Sequence, residues 1–279
     1  MMMQRDKARY GRWSTAVEEL VSYRYVGCQS IVVDETHATG NMRLRSDLRW
    51  QAGLLGAPLA IAMLDTAGIN IDRVRFGALT HVTIQVHDGA DTVATVRIDG
   101  EVTRMAQRAV FTECTFRDRD QPSRVVAHGT ADWISLGDVA PGFAYTDPGS
   151  GVPDEPPMPP LHQAYFVEPS PGGGYVIPEL RPEIGDQLLH HGPILVSLEA
   201  HANVLAERLA DVQRLRLRSF DLRLLRGGTR APFVTRVRDS GRCGDTVWAR
   251  VELADAGGDG DVLSRMELVY DARRCGARR

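Results

Sequence analysis

Between Leu54 and Ile69 the chain runs Leu-Leu-Gly-Ala-Pro-Leu-Ala-Ile-Ala-Met-Leu-Asp-Thr-Ala-Gly-Ile, with Asp65 as its only charged residue. Pro58 suits the first turn of a helix, where its missing N–H breaks no hydrogen bond. The residues after it are apolar all round, so the helix has no face to give to water and must be wrapped by other structure. That requirement favours a fold in which a helix is the filling. It also singles out Asp65. A buried carboxylate costs several kcal/mol of desolvation unless it is paired, hydrogen-bonded or facing a wet pocket. The last case makes Asp65 the leading candidate for chemistry.

The chain is built twice. Gly137 to Pro160 holds Pro141, Pro148, Pro153, Pro156, Pro157, Pro159 and Pro160 among Gly and Asp, and reads as an extended linker. It separates residues 12–136 from residues 161–272, each long enough to bury a core. Matching Pro58 to Pro193 aligns Leu54-Leu55-Gly56-Ala57-Pro58-Leu59 with Leu189-His190-His191-Gly192-Pro193-Ile194, an offset of 193 − 58 = 135. Both prolines open an apolar helical run. Strand-like segments follow near His81–Val86, Thr92–Val102, Ala109–Arg117 and Arg124–Ile134 in the first half. In the second they lie near Leu217–Leu225, Phe233–Arg238, Thr246–Ala254 and Val262–Tyr270. Apolar–polar alternation in Val93–Ile98 and Val247–Leu253 marks strands with one buried face. Asp118–Pro122 and Asp255–Asp261 read as hairpin turns at matching places. The expected class is α+β, each half a long central helix wrapped by an antiparallel sheet of four strands, with one or two more strands before the helix.

Composition narrows the partners. Of 279 residues 43% are hydrophobic, as in ordinary globular proteins, and the net charge of −3 with a pI near 6.2 lacks the basic signature of a nucleic-acid binder. Lys7 is the only lysine, so the positive charge is almost all arginine. Cys28, Cys114, Cys243 and Cys275 are scattered without CxxC spacing, which suggests neither a zinc site nor a disulfide framework. His190, His191 and His201 lack the i, i+4 spacing of a metal-binding helix, and helix-start capping or loop packing is the favoured reading. No metal and no cofactor are implied. Residues 1–11 lack an apolar signal segment and no run is long enough to span a membrane, so a cytoplasmic protein is expected. Gly172-Gly173-Gly174 lacks the strand-to-helix context of a phosphate loop. Trp13, Trp50, Trp133 and Trp248 are too dispersed for a base-stacking platform.

A Pro-led apolar helix carrying Leu64-Asp65-Thr66-Ala67, followed by four antiparallel strands, resembles the hotdog-fold acyl-CoA thioesterases of the phenylacetate-pathway type. The resemblance runs from about Gly27 to Asp271, linker aside, and here the unit is duplicated into a tandem, or double, hotdog. In those enzymes the helix opens with His-Gly-Gly, and the catalytic aspartate follows the first of those glycines by eight residues. The matched position is Ala57, and 65 − 57 = 8.

The resemblance implies hydrolysis of an acyl-CoA to a carboxylic acid and CoA, at a site between the halves. Asp65 would be general base or nucleophile, the Ala57 N–H the oxyanion donor, and Ser219, at a strand start in the other half, the polar partner. Trp50, Gly56, His81, His191 and Gly192 would line the substrate sites. There are departures. Gly56-Ala57-Pro58 stands where the family has His-Gly-Gly. The second half keeps His191-Gly192 but has Ala200 at the aspartate position, with Glu199 one residue, roughly 100°, away around the helix. One working site facing Ser219 and one degenerate site facing His81 are expected. Arg104, Arg108, Arg226, Arg230, Arg238 and Arg242, at strand ends and turns, are candidates for a CoA phosphate or for a solvated rim. A homo-oligomer of double hotdogs is a further expectation. The alternative is a non-catalytic acyl-CoA or lipid-binding protein on the same fold. A hydratase acting on enoyl-CoA would want Asp and His close together before a helix, and neither half has that pairing.

Overall fold

The computed structural model describes residues 20–51, 53–72, 74–138, 159–185, 187–210 and 214–273. The first half comprises α1 (Val21–Val26), β1 (Ile31–Val32), β2 (His37–Arg43), β3 (Arg49–Trp50), β4 (Gly53–Leu54), α2 (Gly56–Asp72), β5 (Arg75–Val86), β6 (Thr95–Met105), β7 (Ala109–Asp118) and β8 (Val125–Asp138). The second comprises α3 (Leu161–Ala164), β9 (Glu168–Pro169), β10 (Tyr175–Ile177), α4 (His191–Ala210), β11 (Arg214–Leu224), β12 (Phe233–Cys243), β13 (Thr246–Asp255) and β14 (Val262–Arg273).

Twelve strands form one sheet in the order β1-β2-β6-β7-β8-β5-β11-β14-β13-β12-β10-β9, and β3 pairs with β4 in a separate ribbon. Counted outward from the centre, the sequence is β5-β8-β7-β6-β2-β1 on one side and β11-β14-β13-β12-β10-β9 on the other. The same plan is thus used twice. At the seam, β5 and β11 pair antiparallel, with Ile84 opposite Phe220 and Val82 opposite Leu222. All four of these side chains are buried, so the two halves share one core across the seam.

The apolar run from Leu54 does form a helix, buried at every position from Gly56 to Ile71. Ala57, Ala60, Ala62, Met63 and Ile71 are fully inaccessible, and Leu59 and Ile61 nearly so. Each large apolar side chain so buried contributes about 1.5–3 kcal/mol. Pro58 falls in the first turn, where it removes no intrahelical bond. α2 packs on β2, β5, β6 and β7, α4 packs on β10, β12, β13 and β14, and the two helices touch each other.

All eight long strands occur, with shifted ends. β12 continues past Arg238 to Cys243, where its side chains are mostly exposed and no apolar alternation marks it. β8 runs to Asp138, so the first two residues of the expected linker are strand; residues 139–158 lie outside the described residues.

Candidate functional site

The first turn of a helix has N–H groups without intrahelical partners. Leu55, just before α2, has no side-chain acceptor to offer them. The acceptor comes from the other half. Glu199, in α4, takes the Gly56 N–H on Oε1 at 2.5 Å and the Ala57 N–H on Oε2 at 2.8 Å. Position 56 must be glycine for this approach. A Cβ there would lie 2.7 Å from Phe220 Cδ2 and 2.9 Å from Leu217 Cδ2, both on β11 across the seam.

Glu199 is 2% exposed. Burial pushes its carboxyl up to about 7, against the two N–H bonds, which favour the charged form. A group balanced there exchanges a proton readily at neutral pH. The two N–H groups and the positive end of the α2 dipole form a preorganised place for negative charge.

Glu199 also borders a cavity of about 360 Å³ between the halves, walled by Trp50 and Leu55 from one side and by Tyr175, Asn203 and Glu207 from the other. That volume lies within the range of small-molecule sites. The walls are held by hydrogen bonds across the seam. Trp50 Nε1 and Gln51 Nε2 both donate to Glu207 Oε1 at 3.1 Å, and the Leu215 N–H donates to Gln51 Oε1 at 2.7 Å. Tyr270, packed edge-on against Trp50 at 5.6 Å, donates its hydroxyl to Asn203 Oδ1 at 2.7 Å.

Of the residues expected from sequence, Gly56, Ala57 and Trp50 gather here and the others do not. Asp65 is not among the residues lining this cavity. It is 6% exposed, and Ser30 Oγ donates to its Oδ2 at 3.0 Å. Thr66 Oγ1 lies 3.2 Å from Ser30 Oγ and 3.3 Å from Cys28 Sγ, so Asp65 belongs to a polar cluster facing the first half's own outer strands. Ser219 pairs with Gln85 and Val269 in the sheet. Its neighbour Phe220 is buried, so strand alternation turns Ser219 to the opposite face.

His81 likewise faces away from the core, beside buried Val82. Its Nε2 is 3.0 Å from Asp221 Oδ2 and its Nδ1 is 3.5 Å from Asp132 Oδ2. His191 and Gly192 open α4, but that end is plugged. A Cβ on Gly192 would collide with Ser22 Oγ, and the Gly192 N–H meets His190 Nδ1 at 3.5 Å. Ser22 Oγ is 3.2 Å from the same ring nitrogen, and the His190 and His191 rings lie 3.7 Å apart, tilted by 41°. Burial pushes His191 down to about 3 and His190 well below its ordinary value, so both are neutral at pH 7.

Among the described residues no group of three or more His, Cys, Asp or Glu could hold a metal ion. None of Arg104, Arg108, Arg226, Arg230, Arg238 and Arg242 lines the cavity. Arg226 pairs with Asp261 and Arg238 with Glu252.

Glu199 carried a sequence signal of the same kind as Asp65. It is the only charged residue between Gly192 and Leu205 in an otherwise largely apolar helix start. The one-residue offset separates the two acids. Aligned on the prolines, Glu199 matches Leu64, and Asp65 matches Ala200.

No family model matches the chain, and no curated protein matches it. Solved structures do. One from Alicyclobacillus acidocaldarius, described as a conserved protein of unknown function with hot dog fold, is 16% identical with a TM-score of 0.56, covering 91% of this chain and 98% of that one. The chain has the hotdog fold. Among other similar structures is an acyl-CoA thioesterase II, TesB2, from Mycobacterium marinum, at 12% identity and a TM-score of 0.58, with 92% of this chain and 99% of that one covered. A 12:0-ACP thioesterase from Umbellularia californica is 10% identical with a TM-score of 0.57, covering 85% and 94% respectively. No helix among the described residues is long and apolar enough to cross a membrane.

Proposed function

We propose that the protein hydrolyses an acyl thioester, of the acyl-CoA type, to a carboxylic acid and a free thiol, at one site between two tandem hotdogs spanning residues 12–136 and 161–272. The observation that carries this reading is the Glu199 carboxylate, from one helix, seated on the Gly56 and Ala57 N–H groups of the other beside a cavity. The role expected of Asp65 passes to Glu199, and Gly56 joins Ala57 as a donor. The thioester carbonyl oxygen displaces the carboxylate from the two N–H groups. Glu199 then either takes a proton from an attacking water or attacks the carbonyl carbon itself to form a mixed anhydride that water opens. In both routes the tetrahedral oxyanion rests on Gly56 and Ala57, the C–S bond breaks, and the departing sulfur is protonated.

Similarity of fold to thioesterases supports the reaction class. A cytoplasmic location and assembly into larger oligomers of this unit belong to the same proposal. The test is to incubate the purified protein with acyl-CoAs of several lengths and follow free thiol. Release by the wild type, and its loss in Glu199→Gln, is expected. An intact thioester across the whole panel would refute it.

One observation favours a second reading. Both donors are already occupied, so Glu199 could serve only as a cap for α2. The protein would then be a non-catalytic acyl-CoA or lipid binder on this fold, and such ligands would raise its melting temperature without being cleaved.

A further inference from the structure

Three residues one helical turn apart on α4 border the cavity: Glu199, Asn203 and Glu207. They form a gradient of access. Glu207 is exposed, Asn203 is 7% exposed and Glu199 is 2% exposed. Of the three, Glu207 lies nearest solvent, Asn203 midway and the Glu199 carboxylate deepest. Successive members of the stripe are about 6 Å apart along the helix axis.

Asn203 is set as a donor. Its Oδ1 is taken by the Tyr270 hydroxyl, and its Nδ2 has no hydrogen-bond partner among the described residues. With its Oδ1 held, the Nδ2 is the end of the side chain that a ligand acceptor in the cavity can take. Glu207 differs, since Trp50 and Gln51 already donate to it.

We infer that Asn203 reads an amide carbonyl on the thiol side of the substrate, which rests on the thioester reading above. With the reacting carbonyl at Glu199, an arm running along α4 toward exposed Glu207 passes Asn203. In a thiol of the N-acylcysteamine type the amide carbonyl carbon is five bonds from the thioester carbon. An extended chain advances about 3.3–3.6 Å per three bonds, so the amide falls roughly 6 Å from the reacting centre, level with Asn203. Asn203 Nδ2 donates to that oxygen. The site thereby prefers thioesters of pantetheine-like thiols to those of simple alkyl thiols. Asn203 is a specificity residue; it leaves the bond-breaking steps to Glu199.

Binding is the readout, so the hydrolase reading can fail, with thioesters left intact, while this one stands. Two uncleavable thioethers are compared by calorimetry: S-propyl-N-acetylcysteamine, and 2-(propylthio)ethanol, which stops short of the amide. The wild type is expected to bind the first about tenfold more tightly, the worth of one hydrogen bond in a buried site. Asn203→Leu removes that preference, weakening the amide ligand about tenfold more than the alcohol. Tyr270→Phe frees the Asn203 amide to turn and reduces the preference about threefold. In the wild type the Asn203 side-chain NH₂ resonances shift with the amide ligand alone, so the test does not depend on the variants folding. Equal affinity for the two thioethers, or equal losses for both in Asn203→Leu, would overturn the inference. So would a preference that follows a carbonyl placed on the alkyl arm, because it would assign Asn203 to the acyl group.

Discussion

The N-termini of α2 and α4 hold matching places in the two halves and are completed in opposite ways. At α2 a carboxylate arrives from the other half and takes two N–H groups beside an open cavity. At α4 a neutral imidazole from the preceding residue meets the chain at 3.5 Å, and Ser22 fills the space that a side chain on Gly192 would need. The first end is bridged to the other half by an acid that borders a cavity. The two ends thus differ: α2 meets an acid from the other half beside a cavity, whereas α4 is closed by Ser22 and His190.

The sharpest way to break this comparison is to neutralise the two acids in turn. Glu199→Gln should lower thiol release by about 100-fold or more, the usual worth of a positioned acid or base. Asp65→Asn should leave turnover within a few-fold. It should instead lower unfolding stability by about 1–3 kcal/mol in denaturant, because it disturbs a buried hydrogen-bonded cluster. The reverse pattern would return the chemistry to Asp65.

Acid and base should then pull the two ends in different directions. Glu199 is raised to about 7 in the folded protein, above its ordinary 4.5, so the fold holds an extra proton between those values. Its contribution to stability is full below pH 4.5 and is lost as the pH rises through 7, by on the order of 3 kcal/mol. His191 is lowered from 6.5 to about 3, so its contribution is present above 6.5 and is lost as the pH falls toward 3. The two slopes oppose each other between pH 4.5 and 6.5, so each is read as the difference between variant and wild type in a denaturation series from pH 4 to 8. Glu199→Gln should lose the fall in stability between pH 4.5 and 7, and His191→Asn should lose a rise between pH 4 and 6.5. Turnover depends on the Glu199 carboxylate, so kcat/KM should rise with pH through about 7 and then level off.

The smallest effect tests the cluster around Asp65. Ser30→Ala removes one buried donor to that carboxylate and should cost about 1 kcal/mol without changing kcat.

Much of the architecture was legible because it rests on local periodicity. Apolar content on every side of α2 called for a helix wrapped by sheet, and strand-like segments, two of them with clear alternation, located all eight long strands. The repeated Pro-led helix pointed to two similar halves, and the strand order is the same on the two sides of the seam. The site was legible only at its donor end, where Gly56 and Ala57 open a helix without a local cap. Its acid was not, because the partner lies 142 residues away in α4. Asp65 and Glu199 are both lone charges in apolar helices, and only the packing of the halves shows which one reaches the neighbouring helix. Ser219 and His81 were placed by strand position, but alternation with buried Phe220 and Val82 turns both of them outward.

The central claim is that Glu199 sits on the α2 donors and titrates there. Amide proton shifts of Gly56 and Ala57, followed by NMR from pH 5 to 9, test it most directly. Both resonances should move together with a midpoint near 7, and the transition should vanish in Glu199→Gln. Flat traces in the wild type, or a transition that survives the substitution, would contradict the account.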